Sequence, residues 1–84
     1  LGKVIVKKTG ENAMPLGKAT FVLKNDHDKS EISHETVEGS GEAAFENIKP
    51  GNYTLTEKTA PIGYKKTDKT WKVKVADNGA TTIE

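Results

Sequence analysis

The chain has 84 residues, of which 33% are hydrophobic, and its 13 basic residues, all lysines, nearly balance 12 acidic residues. This length predicts one small domain whose core alone gives thin stability, and the absence of cysteine excludes disulfides as a supplement. The absence of arginine and of a basic stripe argues against nucleic-acid binding, and no apolar run approaches membrane-spanning length.

Hydrophobic residues recur with a period of two along nearly the whole chain, and no stretch keeps a helical period. This pattern predicts an all-β, Ig-like antiparallel sandwich of about seven short strands. The predicted strands lie near residues 3–8, 19–25, 31–37, 42–48, 52–58, 69–76 and 80–84.

Turn-forming residues separate the predicted strands. Asn78-Gly79 lies between the alternating segments 71–75 and 81–83, which predicts a β-hairpin. The segment 25–28, Asn-Asp-His-Asp, is interpreted as a turn, because adjacent turn residues rarely converge on one metal ion.

Alternation assigns one face of each strand to the core. In the third strand two sets could face inward, either Ile32, His34 and Thr36 or Ser33, Glu35 and Val37. The predicted inward residues of the other strands are Val4, Val6, Ala19, Phe21, Leu23, Phe45, Ile48, Tyr53, Leu55, Trp71, Val73 and Val75.

Two charged residues fall where the inward face should continue. Lys8 follows Val4 and Val6 on one side of the first strand, and Glu57 follows Leu55 in the fifth. Burying a lone ammonium or carboxylate is expensive, so the two charges are predicted to face each other.

A lysine and a glutamate held together away from water could be either a reactive pair or an ordinary ion pair. Removal from water favours an uncharged amine, which is a nucleophile, and an uncharged carboxylic acid, which can donate a proton. Together they could form an amide bond with an asparagine or aspartate side chain, releasing ammonia or water. The plainer interpretation is a partly buried ion pair or a lysine whose ammonium reaches water. A register slip of one residue would instead place Lys7 inward.

Several segments, in this order and spacing, resemble the B-type domain of collagen adhesins, the prealbumin-like (CnaB) sandwich of Gram-positive surface proteins and pilins. The segments are Gly2-x-Val4-x-Val6-x-Lys8, Pro15-Leu16-Gly17-Lys18-Ala19-Thr20-Phe21-Val22-Leu23, Gly41-x-x-x-Phe45-x-x-Ile48 and Pro50-Gly51-x-Tyr53-x-Leu55-x-Glu57-x-x-Ala60-Pro61-x-Gly63-Tyr64. The likeness extends to the tip and ancillary adhesins of streptococcal pili.

The resemblance implies that Lys8 is the amine donor of a self-catalysed isopeptide bond and Glu57 its proton shuttle. The acceptor asparagine or aspartate lies on the family's last strand, which the resemblance places after Glu84. We therefore expect residues 1–84 to form a single domain that is incomplete at its C-terminal end and to contain no acceptor. Lys18 stands where relatives usually have glycine, which is expected to affect only a bulge or an outward position.

The resemblance also implies a structural stalk or scaffold module of a cell-surface or pilus adhesin, extracellular and attached to the cell wall through its parent protein. Its expected partners are neighbouring domains and pilus subunits, with no nucleic acid, membrane insertion, cofactor or metal. Its only chemistry would be the single-turnover cross-link, so no multiple-turnover enzyme is expected. The alternative is an adhesive module that contacts a host matrix or cell-surface ligand through loops such as 25–30 or 37–41.

Overall fold

A computed structural model describes residues 1–84 as an all-β sandwich, which confirms the predicted fold class. The strands are β1 (Gly2–Lys7), β2 (Thr20–Asn25), β3 (Glu31–Glu35), β4 (Glu42–Ile48), β5 (Gly51–Thr59), β6 (Thr70–Val75) and β7 (Ala80–Ile83). A single 3₁₀ turn at Glu11–Ala13 is the only helical element, and it falls far short of the length needed to cross a membrane.

The strands form two sheets that pack face to face. One sheet has the order β4-β1-β7 and the other the order β3-β2-β5-β6. Every pairing is antiparallel except that of β1 with β7, which is parallel. The core residues come from both sheets, with β1 and β4 of the first facing β2, β5 and β6 of the second.

The hairpin predicted at Asn78-Gly79 is wrong, although the turn itself is present. Asn78 has a positive φ of 58°, and the Gly79 amide donates to the Ala76 carbonyl at 3.0 Å. The amide of Lys3 donates to Gly79 O at 3.0 Å, which ties the turn to the start of β1. The chain therefore crosses to the other sheet, and β7 pairs with β1 instead of folding back on β6.

The core follows the predicted alternation with two differences. Ala43 is fully buried but is absent from the predicted set, because its small side chain gives a weak hydrophobic signal. Trp71 is only partly buried at the rim of the core. The core comprises Val4, Val6, Ala19, Phe21, Leu23, Ala43, Phe45, Ile48, Tyr53, Leu55, Val73 and Val75.

Of the first predicted inward set of the third strand, Thr36 is buried and His34 contacts the core, but Ile32 is 41% exposed. The buried Thr36 hydroxyl accepts a hydrogen bond from the Ala19 amide at 3.0 Å and donates to the Leu16 carbonyl at 2.9 Å. Two residues earlier, the His34 ring packs edge-on against Phe45 with centroids 4.9 Å apart.

The turn at residues 25–28 and the outward position of Lys18 were both predicted, but the backbone conformation of Lys18 was not. Asn25 Oδ1 accepts hydrogen bonds from the amides of His27 and Asp28, at 2.8 and 3.1 Å, which confirms the turn at 25–28. Lys18 lies outward as expected, but its φ of 63° is in the left-handed region. Glycine is the residue that adopts this conformation without steric cost, so the lysine stores local strain here.

Candidate functional site

Lys8 is directed toward the interior at the end of β1. Its amide donates to Gly41 O at 2.8 Å, and its carbonyl accepts from the Leu16 amide at 2.9 Å. These bonds continue the extended backbone past Lys7, so the alternation of β1 is kept. Lys7 is exposed, whereas the Lys8 side chain is only 25% exposed, so the structure directs Lys8 inward.

Glu57 lies on the inward face of β5, opposite Phe21 of β2, and its side chain has no solvent exposure. Its Oε1 accepts a hydrogen bond from the Thr67 backbone amide at 2.9 Å. Its Oε2 is buried and accepts no hydrogen bond. A buried carboxyl oxygen without a donor is uncommon, because an unsatisfied polar atom costs free energy.

The nearest cation to that oxygen is the Lys8 ammonium, with Nζ 3.5 Å from Oε2. This is an ion-pair distance, longer than a normal charge-assisted hydrogen bond. The two residues singled out from the sequence are therefore brought together by strands of opposite sheets. One carboxyl oxygen is fixed by Thr67, and the other is left free toward the lysine.

A cleft of about 200 Å³ opens beside Lys8. Two of its lining rings, Phe21 and Trp71, meet edge to face with centroids 6.3 Å apart. The Lys69 ammonium, outside the lining, lies 5.4 Å from the Trp71 ring centroid. The cleft is lined by Val6, Lys7, Lys8, Thr9, Phe21, Thr67, Trp71, Ile83 and Glu84. The partly buried Trp71 therefore lines the same cleft as Lys8.

None of the asparagine or aspartate side chains of residues 1–84 is buried. The Asn78 amide is bonded to Leu1 O, seven residues before Lys8, which is roughly 23 Å at strand spacing. Asn47 and Asn52 are exposed, as expected, and Asp68 is fully exposed although it follows Thr67. No group of three or more His, Cys, Asp or Glu side chains is placed to hold a metal ion.

Sequence reasoning missed the Thr67 amide as the partner of Glu57. The donor is a backbone group in the irregular segment between β5 and β6, and no side-chain pattern marks it. The only available signal was that a buried carboxylate requires donors.

The chain matches a family model described as SpaA, prealbumin-like fold domain, over residues 2–84. Among solved structures, the pilus adhesin RrgA from Streptococcus pneumoniae is 51% identical over 88% of this chain and 9% of its own, with a TM-score of 0.82. The Bacillus anthracis TIE protein is 26% identical over 98% of this chain and 15% of its own, with a TM-score of 0.88.

The group B streptococcus pilus 2b backbone protein is also 26% identical, over 99% of this chain and 40% of its own, with a TM-score of 0.73. This chain therefore spans less than half the length of each of these solved chains. The comparison with curated proteins gives no match. The family match covers all but the first residue, and this chain belongs to the SpaA prealbumin-like fold domain family.

Proposed function

We propose that this chain is a structural module of a Gram-positive surface or pilus protein, stabilised by an isopeptide bond between Lys8 and an acceptor asparagine or aspartate, with Glu57 as the proton shuttle. Membership of the SpaA family and likeness to a pilus adhesin and a pilus backbone protein support the structural role. In this role the module is extracellular, held at the cell wall through its parent, and contacts neighbouring domains and pilus subunits. A covalent tie would supplement a core of only 12 buried hydrophobic residues.

The observation that carries the chemical part is the environment of Glu57 Oε2. This oxygen is buried, accepts no hydrogen bond and lies 3.5 Å from Lys8 Nζ. One proton transfer from the ammonium to the carboxylate gives a neutral amine and a neutral carboxylic acid without changing the net charge. Thr67 fixes the carboxyl group through Oε1, so Oε2 is the oxygen available to exchange protons.

The bond forms when Nζ attacks the side-chain carbonyl carbon of an acceptor asparagine while Glu57 gives its proton to the carbonyl oxygen. Glu57 then takes the extra proton from the attacking nitrogen and passes it to the amide nitrogen. The carbon–nitrogen bond of the primary amide breaks and ammonia leaves. Glu57 recovers its proton from the oxygen, so the product is a secondary amide plus ammonia, or plus water when the acceptor is aspartate.

The acceptor in this proposal is supplied from outside residues 1–84, since no asparagine or aspartate within them is buried. The cleft beside Lys8 offers apolar walls from Phe21, Trp71 and Ile83. Such walls exclude water from the reacting atoms, and holding the amine and carbonyl in contact supplies the effective concentration the reaction needs. In residues 1–84 alone, Lys8 and Glu57 would then lie together without having formed the bond.

Intact-mass measurement of the full-length parent protein tests the proposal. The expected mass is lower than the calculated mass by one ammonia, or by one water for an aspartate acceptor. Lys8→Ala and Glu57→Ala should each restore the full mass, whereas Lys7→Ala should keep the deficit because Lys7 is exposed. A full mass in the unaltered parent would overturn the chemistry, and residues 1–84 alone should show the full mass.

An adhesive role is the second candidate, favoured by a wide cleft of about 470 Å³ at the same end of the sandwich as Lys8. Exposed apolar side chains of Ile62 and Tyr64 line it together with Glu38 and Gly39, and Val37, which precedes Glu38, is also exposed. Binding of the isolated domain to glycans or matrix proteins, lost in Ile62→Ser, would support this role. No binding, together with protease resistance that depends on Lys8 in the parent, would favour the scaffold.

A further inference from the structure

We propose that Asn78 is a site of spontaneous deamidation, through a cyclic imide with Gly79, and that this modification loosens β7 from β1. This inference is independent of the proposed cross-link. It concerns the turn that carries the chain from β6 in one sheet to β7 in the other.

The chemistry requires the backbone nitrogen of the next residue to reach the asparagine side-chain carbonyl. Among the asparagines of this chain, only Asn78 is followed by glycine, whose lack of a side chain leaves that nitrogen unobstructed. Asn78 is exposed, so water and base reach its amide. The Gly79 amide is held by a single hydrogen bond to Ala76 O at 3.0 Å, and opening that bond frees the nucleophile.

The reaction needs only Asn78, Gly79 and water. The Gly79 nitrogen loses its proton and attacks the Asn78 side-chain carbonyl carbon, and the side-chain nitrogen leaves as ammonia. Water then opens the five-membered imide at one of its two carbonyls. One opening gives aspartate, and the other gives isoaspartate, in which the main chain runs through the side-chain carbon.

Isoaspartate at position 78 would weaken the pairing of β7 with β1, because hydrogen bonds at both Asn78 and Gly79 hold this turn against the start of β1. The Asn78 amide donates to Leu1 O at 2.9 Å, and Gly79 O accepts from the Lys3 amide at 3.0 Å. The first Cα pair of the parallel ladder, Lys3 with Ala80, follows immediately. An extra main-chain carbon at Asn78 displaces these anchors, so β7 should lose pairing along β1.

The imide has a further consequence for mass measurement. It lacks one ammonia relative to the unmodified chain, as an isopeptide bond to asparagine does. A deficit caused by the imide persists in Lys8→Ala and disappears in Asn78→Gly, whereas a cross-link deficit behaves in the opposite way. Glycine is the matched replacement because position 78 has a positive φ.

The test incubates the folded chain in mildly alkaline buffer made with heavy-oxygen water, followed by peptide mapping. We expect the peptide with Asn78 to gain heavy oxygen and to split into aspartate and isoaspartate forms, before any peptide with Asn12, Asn25, Asn47 or Asn52. Gly79→Ala should slow the gain. Its new carbon would lie 3.2 Å from Ala76 O, a crowding that a small shift relieves.

The isoaspartate fraction, separated by chromatography, should exchange the amide hydrogens of residues 80–83 faster than the unmodified chain. An unchanged Asn78 peptide, or another asparagine reacting as fast, would overturn the site. Unaltered exchange in the isoaspartate fraction would overturn the effect on β7.

Discussion

The Lys8 ammonium lies 3.5 Å from Glu57 Oε2, the one buried side-chain polar atom of the chain without a hydrogen-bond partner. The carboxyl has no solvent exposure, whereas the lysine keeps partial access to water at the mouth of a cleft. Of the two, the lysine is therefore the group that a molecule or segment entering the cleft can reach.

The pair should show strong energetic coupling in the unreacted chain. Lys8→Met should lower the free energy of unfolding by about 2 kcal/mol, less than for a fully buried pair because the lysine is partly solvated. In a double-mutant cycle with Glu57→Gln, which can still accept from Thr67, we expect coupling of about 1–3 kcal/mol by urea denaturation. Additive effects of the two substitutions would contradict a direct contact. Lys7→Met serves as the exposed control.

An acceptor placed by the register of β7 should react with Lys8. β7 runs parallel to β1 with Val6 opposite Ile83, so an asparagine appended directly after Glu84 falls opposite Lys8 and on its face. We expect this extended chain to lose one ammonia on incubation, as measured by intact mass. An appended glutamine, whose carbonyl lies one carbon further out, is the matched control and should react more slowly. Equal reaction in Glu57→Ala would exclude a proton-transfer role for the glutamate.

Lys18→Gly should stabilise the domain. At a φ of 63°, a lysine carries roughly 1–2 kcal/mol of left-handed strain, part of which glycine's backbone entropy offsets, so a net gain of about 0.5–1 kcal/mol is expected. The contact of Lys18 with Glu38, at 3.9 Å between exposed side chains, adds little. Lys24→Gly in the extended β2 is the control and should destabilise. Thermal or urea denaturation measures both variants, and a Lys18→Gly variant less stable than the unaltered chain would contradict the prediction.

Removing the hydroxyl of Thr36 should lower the free energy of unfolding more than removing its methyl group does. Thr36→Val keeps the shape but leaves the Ala19 amide and the Leu16 carbonyl without their side-chain partner, which should cost about 1–3 kcal/mol. Thr36→Ser keeps both hydrogen bonds and should cost about 1 kcal/mol for the lost methyl group. Urea denaturation in which Thr36→Ser is the less stable variant would contradict this account.

Acid should weaken the domain partly through Asp26. The hydrogen bond from the Thr54 hydroxyl, and then the charges of Lys72 and Lys29, hold the pKa of Asp26 below its usual value of 3.8. A lowered pKa stabilises the fold above the unfolded value and loses that contribution as pH falls through the folded value. Asp26→Asn should therefore reduce stability near neutral pH and have less effect in strong acid. Asp68→Asn, at a fully exposed carboxyl, is the control for the pH series.

Alternation predicted the strands and their inward faces because a two-layer sandwich buries every second residue. It could not identify Ala43, whose side chain is too small to stand out from its neighbours. It also could not choose the partner of β7, because an Asn-Gly turn determines a local reversal and not the strand that follows it. The parallel pairing with β1 depends on Lys3 and Gly79, which are distant in sequence.

The sequence could predict the two charged side chains of the candidate site but not the groups that surround them. Alternation placed Glu57 inward and left Lys8 or Lys7 as its partner, the family resemblance favoured Lys8, and the structure brings Lys8 and Glu57 together. The Thr67 amide that holds Glu57, and the rings that line the cleft, depend on tertiary packing and on an irregular segment. The catalytic roles of the two residues stay a prediction.

The central claim is that Lys8 becomes cross-linked to an acceptor asparagine or aspartate, with Glu57 moving the protons, and intact-mass spectrometry of the parent protein tests it most directly. The account predicts a mass deficit of one ammonia or one water that disappears in Lys8→Ala and in Glu57→Ala and persists in Asn78→Gly. A full calculated mass in the unaltered parent, or a deficit that survives Lys8→Ala, would contradict it.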